Sequence, residues 1–153
     1  GTGSHPTTRL CLEWLERTVS PSCSVLDYGC GSGILAIAAA RLGAGRVAGV
    51  DIDPQAVESA RANAERNEVS ALFADSAEPV AGEYDLVVAN ILSNPLRVLA
   101  PAICVHVRSG GCLALSGILR EQAEEIIAIY AQWLPMEVAD TREDWVCLSG
   151  VKP

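Results

Sequence analysis

A chain of 153 residues with 50% apolar and 20% charged side chains has the size and composition of an ordinary globular domain, so one domain spanning residues 1–153 is expected. No apolar run reaches the roughly 20 residues of a membrane helix, and Gly1-Thr2-Gly3-Ser4-His5-Pro6 lacks the basic and apolar blocks of a signal peptide, which points to a soluble cytoplasmic protein with no membrane partner. A net charge of -8 opposes attachment to a phosphate backbone, so no direct nucleic-acid partner is expected, whereas a basic protein partner suits that charge; composition fixes no oligomeric state.

In chain order, residues 24–28 read as a first buried strand that ends in a glycine-rich turn. An apolar helix follows over about 34–42, with Gly43 as its C-terminal stop. Residues 46–51 form a second strand. The next helix begins with Asp53 as N-cap and Pro54 in the first turn, and its buried stripe is Ala56, Val57, Ala60 and Ala64. A less marked strand covers 70–74, and a strongly apolar one covers 84–89 and delivers Asn90 at its carboxyl end. A helix is expected from about Pro95, then a Gly110-Gly111 turn into a strand at 112–116. A helix at about 120–133 and two strands, 136–140 and 145–151, close the chain. Seven strands with interleaved helices fit an α/β, Rossmann-like, doubly wound sheet ending in an antiparallel hairpin. Most of the six cysteines, Cys11, Cys23, Cys30, Cys104, Cys112 and Cys147, lie in apolar runs without C-x-x-C spacing, and read as reduced core residues.

Asp27-Tyr28-Gly29-Cys30-Gly31-Ser32-Gly33 sits between a predicted strand and a predicted helix, the context that a nucleotide-binding loop requires. Gly29, Gly31 and Gly33 let the backbone turn sharply and approach a ligand, and the helix behind offers unpaired N–H groups. Asp51, ending the next strand, is spaced to accept hydrogen bonds from both hydroxyls of a ribose, so the pair specifies an adenosine-like ligand. The alternating G-x-G-x-G, with Asp27 two residues ahead, resembles motif I of class I methyltransferases; a dinucleotide-binding dehydrogenase would show G-x-G-x-x-G with no required acid. Asp53 is assigned to capping alone. Asp75, at the end of the third strand, stands open between a contact to an adenine amine and an exposed loop acid.

The segment Asn90-Ile91-Leu92-Ser93-Asn94-Pro95-Leu96 sharpens the likeness. Together with Gly1-Thr2-Gly3-Ser4-His5-Pro6-Thr7-Thr8, the glycine loop extended through Ala38, and Val50-Asp51-Ile52-Asp53-Pro54-Gln55-Ala56, it resembles the family of enzymes that methylate large-subunit ribosomal protein eleven. Similarity runs nearly end to end and closes on Trp145-Val146-Cys147-Leu148-Ser149-Gly150. The resemblance implies S-adenosylmethionine as cofactor, with contacts from Thr8, Gly29, Asp51 and Asn90, and a large-subunit ribosomal protein as substrate, methylated on lysine side chains and its N-terminal amine. It also implies that the chain begins at the loop following a separate amino-terminal recognition domain, which is absent.

Such an enzyme must align a neutral amine with a sulfonium methyl at about 3–3.5 Å and exclude water. Asn90 is the candidate catalytic residue, placed to hold the methionine portion or the amine, and the carbonyls of Ile91 and Leu92 are candidate acceptors for the amine's hydrogens. Ile91 and Leu92 packing under the next helix is an equal alternative. An Asn-Pro-Pro-aromatic tetrapeptide, suited to planar nitrogens, is replaced here by Asn90-Ile91-Leu92-Ser93, which favours an aliphatic amine. His5 receives no chemical role. Two other functions stay open: methylation of small amines, and a non-catalytic cofactor-binding module.

Overall fold

The computed structural model describes residues 5–75 and 80–153. Its first element is a helix, α1 (Pro6–Thr18), ahead of the first element expected from the sequence. The reason lies in two local features. His5 is the N-cap, its Nδ1 accepting the Thr7 N–H at 3.2 Å, and Pro6 has the fixed φ suited to the first helical position. Thr7, Leu10, Cys11, Trp14 and Leu15 then repeat at helical spacing and form the buried face, with Trp14 Nε1–H donating to Ser149 Oγ at 3.1 Å.

Then come β1 (Ser24–Tyr28), α2 (Ile34–Arg41), β2 (Arg46–Val50), α3 (Pro54–Arg66), β3 (Leu72–Ala74) and β4 (Tyr84–Asn90). The predicted signals operate as expected. Gly43 adopts φ +106 after α2, and Asp53 Oδ1 accepts the Gln55 N–H at 2.9 Å at the start of α3. Val57, Ala60 and Ala64 are buried, while Ala56 is half-buried.

After β4 the single helix expected from Pro95 is two: α4 (Ser93–Val98) and α5 (Ala100–Cys104). Pro101 lies in the first turn of α5, where its missing N–H costs nothing and the helix can restart. The strand expected at 112–116 is the middle of a longer one, β5 (Val107–Leu119). Gly110, at φ +81, sits at an irregularity within this strand instead of in a turn before it. A 3₁₀ turn at 120–122 leads into α6 (Ala123–Tyr130), and β6 (Glu137–Arg142) and β7 (Trp145–Val151) finish the chain.

The sheet runs β3-β2-β1-β4-β5-β7-β6, parallel except for the pairings of β7 with β5 and β6. Because strand side chains alternate, neighbouring residues serve opposite faces. Leu26, Val87 and Leu113 join the core containing Ile103, Ile126 and Tyr130, whereas Val25, Val88 and Ala114 join the core containing Leu15, Ala36 and Ala60. Five of the six cysteines are buried within these cores and Cys112 is half-buried, the environment of small apolar residues. Burying one such leucine or isoleucine contributes about 1.5–3 kcal/mol, which makes the two cores the main stabilisation of the platform.

The order reverses between β1 and β4, since the chain runs outward through β2 and β3 before returning to pair with β1. In an open parallel sheet, the crevice outside the carboxyl ends of the strands at such a switch point is where ligands bind. No described helix is long and apolar enough to cross a membrane.

Candidate active site

The loop after β1 is tied down by its neighbours. Gly29 and Cys30 N–H both donate to the Val50 carbonyl, at 2.8 and 2.9 Å, and Gly33 N–H donates to the Cys30 carbonyl at 2.8 Å. Gly29, Gly31 and Gly33 all have positive φ, and of the three, a Cβ added to Gly31 alone would meet open space. The bare Cα of Gly31 is therefore the side from which a ligand can reach the backbone.

Asp51 follows β2 and locks the loop from outside. Its Oδ2 accepts the Gly31 N–H at 2.9 Å and its Oδ1 accepts the Asp53 N–H at 3.0 Å. Each carboxylate oxygen has two lone-pair sites, so one acceptor position per oxygen remains for a diol. A cavity of about 360 Å³ opens beside it, lined among others by Tyr28, Gly29, Asp51, Ile52, Asp75 and Ile91. The exposed Ile52 and half-buried Ile91 give this cavity apolar walls, the chemistry that a purine face requires.

The structure thus brings Gly29, Asp51 and Asp75 onto one cavity and joins Gly31 to it through Asp51. Gly33 serves α2 instead: an added Cβ would come within 3.0 Å of Ala60 and 3.2 Å of Phe73, so packing requires glycine there. Asp27 is 1% exposed and does not line the cavity. Its Oδ2 accepts the Ala36 N–H at 3.1 Å, capping the start of α2, a helix whose Gly33 N-cap has no side chain to do so. Burial pushes the Asp27 carboxyl up to about 7, the Ala36 bond opposing and the Asp51 charge reinforcing that rise. Burial likewise pushes the Cys30 thiol up, which removes it as a thiolate nucleophile.

Thr8 and Asn90 do not line that cavity but meet each other, Asn90 Nδ2–H donating to Thr8 Oγ1 at 3.4 Å. Of the first matched segment, residues 1–4 lie outside the described residues; His5 caps α1 and its ring meets Trp145 edge-on at 5.6 Å. The alternatives for Ile91 and Leu92 separate. Ile91 packs against the core, while Leu92 is 66% exposed and its carbonyl already accepts the Leu96 N–H of α4 at 3.1 Å.

Sequence reasoning missed Tyr28 and His106 as cavity walls, and also Ser116, whose buried Oγ–H donates to the Thr7 carbonyl at 3.1 Å. Tyr28 was visible as the strand's last residue. Nothing local marks His106 or Ser116, which reach the site only through the pairing of β5.

A seven-stranded sheet with an antiparallel penultimate position, a glycine loop after β1 and an acid after β2 defines the Rossmann-like fold of class I methyltransferases. The similarity to solved structures agrees. A Thermus thermophilus 16S rRNA N2 G1207 methyltransferase, in complex with AdoMet and guanosine, superposes with a TM-score of 0.83 over all of this chain and 44% of its own, at 22% identity. A ribosomal protein L11 methylase from Lactobacillus delbrueckii subsp. bulgaricus gives a TM-score of 0.88 at 34% identity, over 98% of this chain and 80% of its own. The profile of the ribosomal protein L11 methyltransferase family matches residues 1–153, and the chain belongs to that family. Ribosomal protein L11 methyltransferases from Dechloromonas aromatica and Ralstonia pickettii are 86% and 62% identical over 153 residues. These matches cover all of this chain but 52% and 51% of the relatives, so the chain spans about half the length of the curated relatives it matches.

Proposed function

We propose that this chain carries the catalytic centre for S-adenosylmethionine-dependent N-methylation of ribosomal protein L11, on lysine side chains and the N-terminal amine, in the cytoplasm. The observation that carries the reading is the coupling of Asp51 to Gly31. One carboxylate fixes the loop and keeps two acceptor positions beside an apolar cavity, an arrangement that fits the ribose and purine of an adenosine cofactor.

S-adenosylmethionine supplies a sulfonium-bound methyl group that is already electrophilic. In this reading Asp51 would accept from the ribose hydroxyls, Asp75 would hold the adenine, and Gly29 and Gly31 would hold the methionine portion. Thr8 and Asn90 flank the point where the amine arrives. Lysine ammonium has no lone pair, so the amine enters neutral, which desolvation beside the apolar side chain of Ile91 favours. When bound, the cofactor would supply that methyl to the amine's lone pair and would depart as the neutral thioether, while the surplus amine proton would be released to solvent. The Ile91 carbonyl is the better-placed acceptor for an amine hydrogen, since that of Leu92 is engaged by α4.

Asp27 and Gly33 act beneath this site, holding α2 against the loop. The half of the relatives' length that these 153 residues do not span is a natural place for L11 recognition, and tethering of this kind raises effective concentration by about 10²–10⁴-fold in linked systems. Calorimetric titration with S-adenosylmethionine, followed by mass spectrometry of L11 incubated with the chain, tests the proposal. Saturable binding with methyl groups on L11 amines supports it. Binding without transfer, when a full-length relative succeeds under the same conditions, would leave a cofactor-binding module; transfer to free lysine or a polyamine in preference to L11 would make it a small-amine enzyme.

A further inference from the structure

β5 ends in a bulge whose shape is set by one glycine. Gly117 has φ +89, and the pairing of β5 with β7 shifts between Leu115 and Ile118. A Cβ on Gly117 would lie 2.2 Å from the Ile91 carbonyl oxygen, 2.8 Å from its carbon and 3.3 Å from the Ile91 nitrogen. From the other flank, a Cβ on Gly29 would lie 2.7 Å from Ile91 Cγ2. Ile91 is therefore seated between two bare α-carbons, its main chain on Gly117 and its side chain on the cofactor loop. The Gly117 contact is the more demanding, because a peptide group cannot rotate away as a side chain can.

The neighbouring residue holds the opposite wall. Ser116 is 0% exposed, and its hydroxyl donates to the Thr7 carbonyl across 109 positions of sequence. Thr8, the next residue, receives the Asn90 side-chain amide at 3.4 Å. One dipeptide thus touches both segments that flank the amine: Thr7-Thr8 through a hydroxyl, and Asn90-Ile91 through the absence of a side chain. The anchors of the nucleoside side, Asp51 on Gly31 and Asp53, make no use of it.

We infer that Ser116 and Gly117 are positioning residues for methyl transfer, setting the gap between Thr8 and the Asn90-Ile91 peptide without touching the nucleoside end of the cofactor. This rests on the function proposed above, and predicts that transfer and cofactor binding can be separated by substitutions at the end of β5. A displacement of order 1 Å at a reacting centre costs about 100-fold in rate, so Gly117→Ala should lower kcat by about that factor. Ser116→Ala removes a hydroxyl that donates to the Thr7 carbonyl and also meets the Cys11 thiol, and should lower kcat by about 10-fold. In Ser116→Ala cofactor Kd should stay within about fivefold, because the ribose anchors are untouched; Gly117→Ala also presses on Ile91 in the cavity wall, so its readout is kcat at saturating cofactor.

The experiment uses this chain, with calorimetry for cofactor Kd, initial rates against L11 at saturating cofactor, and amide NMR. The NMR arm asks whether the Asn90 side-chain amide resonance moves while that of the Gly31 main chain stays. A kcat loss that high L11 concentration does not rescue, with the Asn90 resonance shifted and Kd retained, supports the inference. Wild-type kcat in both folded variants, or parallel loss of Kd and kcat in Ser116→Ala, overturns it. If Gly117→Ala fails to fold, Ser116→Ala alone decides by the same criteria. If the wild type transfers no methyl to L11, the functional reading fails by itself, and the NMR arm still decides positioning: a stationary Asn90 resonance in Ser116→Ala overturns it, and a shifted one upholds it.

Discussion

Replacing Asp51 with alanine removes two things at once: the acceptors offered to a ribose and the anchor of Gly31. The wild-type carboxylate already accepts two main-chain N–H groups, at 2.9 and 3.0 Å, so its orientation is fixed before any ligand arrives. A hydrogen bond to a charged group contributes about 1.5–3 kcal/mol, and each 1.4 kcal/mol is tenfold in affinity. Asp51→Ala should thus weaken S-adenosylmethionine binding by about 10- to 150-fold, toward the upper end because the loop loses its pre-set geometry too. Asp51→Asn keeps the shape and one carbonyl acceptor, but its amide nitrogen can no longer accept from an N–H, so the loss should fall at the lower end. Isothermal titration of the three proteins, each checked for folding by circular dichroism, gives the comparison. Unchanged affinity in a folded Asp51→Ala variant would refute the assignment. Tight, saturable binding of NADH by the wild type would instead favour a dehydrogenase-type site.

Asn90→Ala should lower kcat without rescue by high L11 concentration, because it removes alignment and not occupancy; a pure rise in KM in steady-state assays would contradict this. Asp27 has a folded-state carboxyl raised from 3.8 to about 7 by burial, so the folded protein holds the extra proton more tightly than the unfolded chain between those values. Stability from this group therefore falls as pH rises from about 4 to about 7 and is level above; Asp27→Asn, which keeps an acceptor for Ala36 N–H, should abolish that slope in urea denaturation across the same range. The lowered Asp85 acts in the opposite sense, its contribution being lost as pH falls below the ordinary carboxylate range, and it cancels in the difference between wild type and variant. Ile126, fully buried between α6 and the sheet, should cost about 2–5 kcal/mol when replaced by alanine, measured by equilibrium urea unfolding.

The parts of the fold that were legible in the sequence are those whose cause is local. Asp53 and Pro54 start a helix through a cap and a fixed φ, Gly43 ends one through a positive φ, and the nearly continuous apolar run along 84–89 marks a strand buried on both faces. The glycine loop and Asp51 were legible for the same reason, since backbone freedom and a strand-end carboxylate lie within 25 residues of one another. α1 was hidden because its cap is a histidine, outside the usual Ser, Thr, Asp and Asn. β5 was read short since glycines at 110 and 111 look like a turn, whereas the sheet absorbs them as an irregularity. Ser116 and Gly117 illustrate the remaining limit: their partners, Thr7 and Ile91, are brought to them only by tertiary packing.

The most direct measurement is the location of new methyl groups on ribosomal protein L11 after incubation with this chain and S-adenosylmethionine carrying an isotopically labelled methyl. L11 should be supplied at high concentration, with a full-length relative as positive control for the substrate. Peptide mass spectrometry should place label on lysine side chains and on the N-terminal amine, at a rate below that of the full-length relative and lowered further by Asn90→Ala. Saturating, demonstrable cofactor binding with no label on any L11 amine, under conditions in which the full-length relative labels it, would contradict the account.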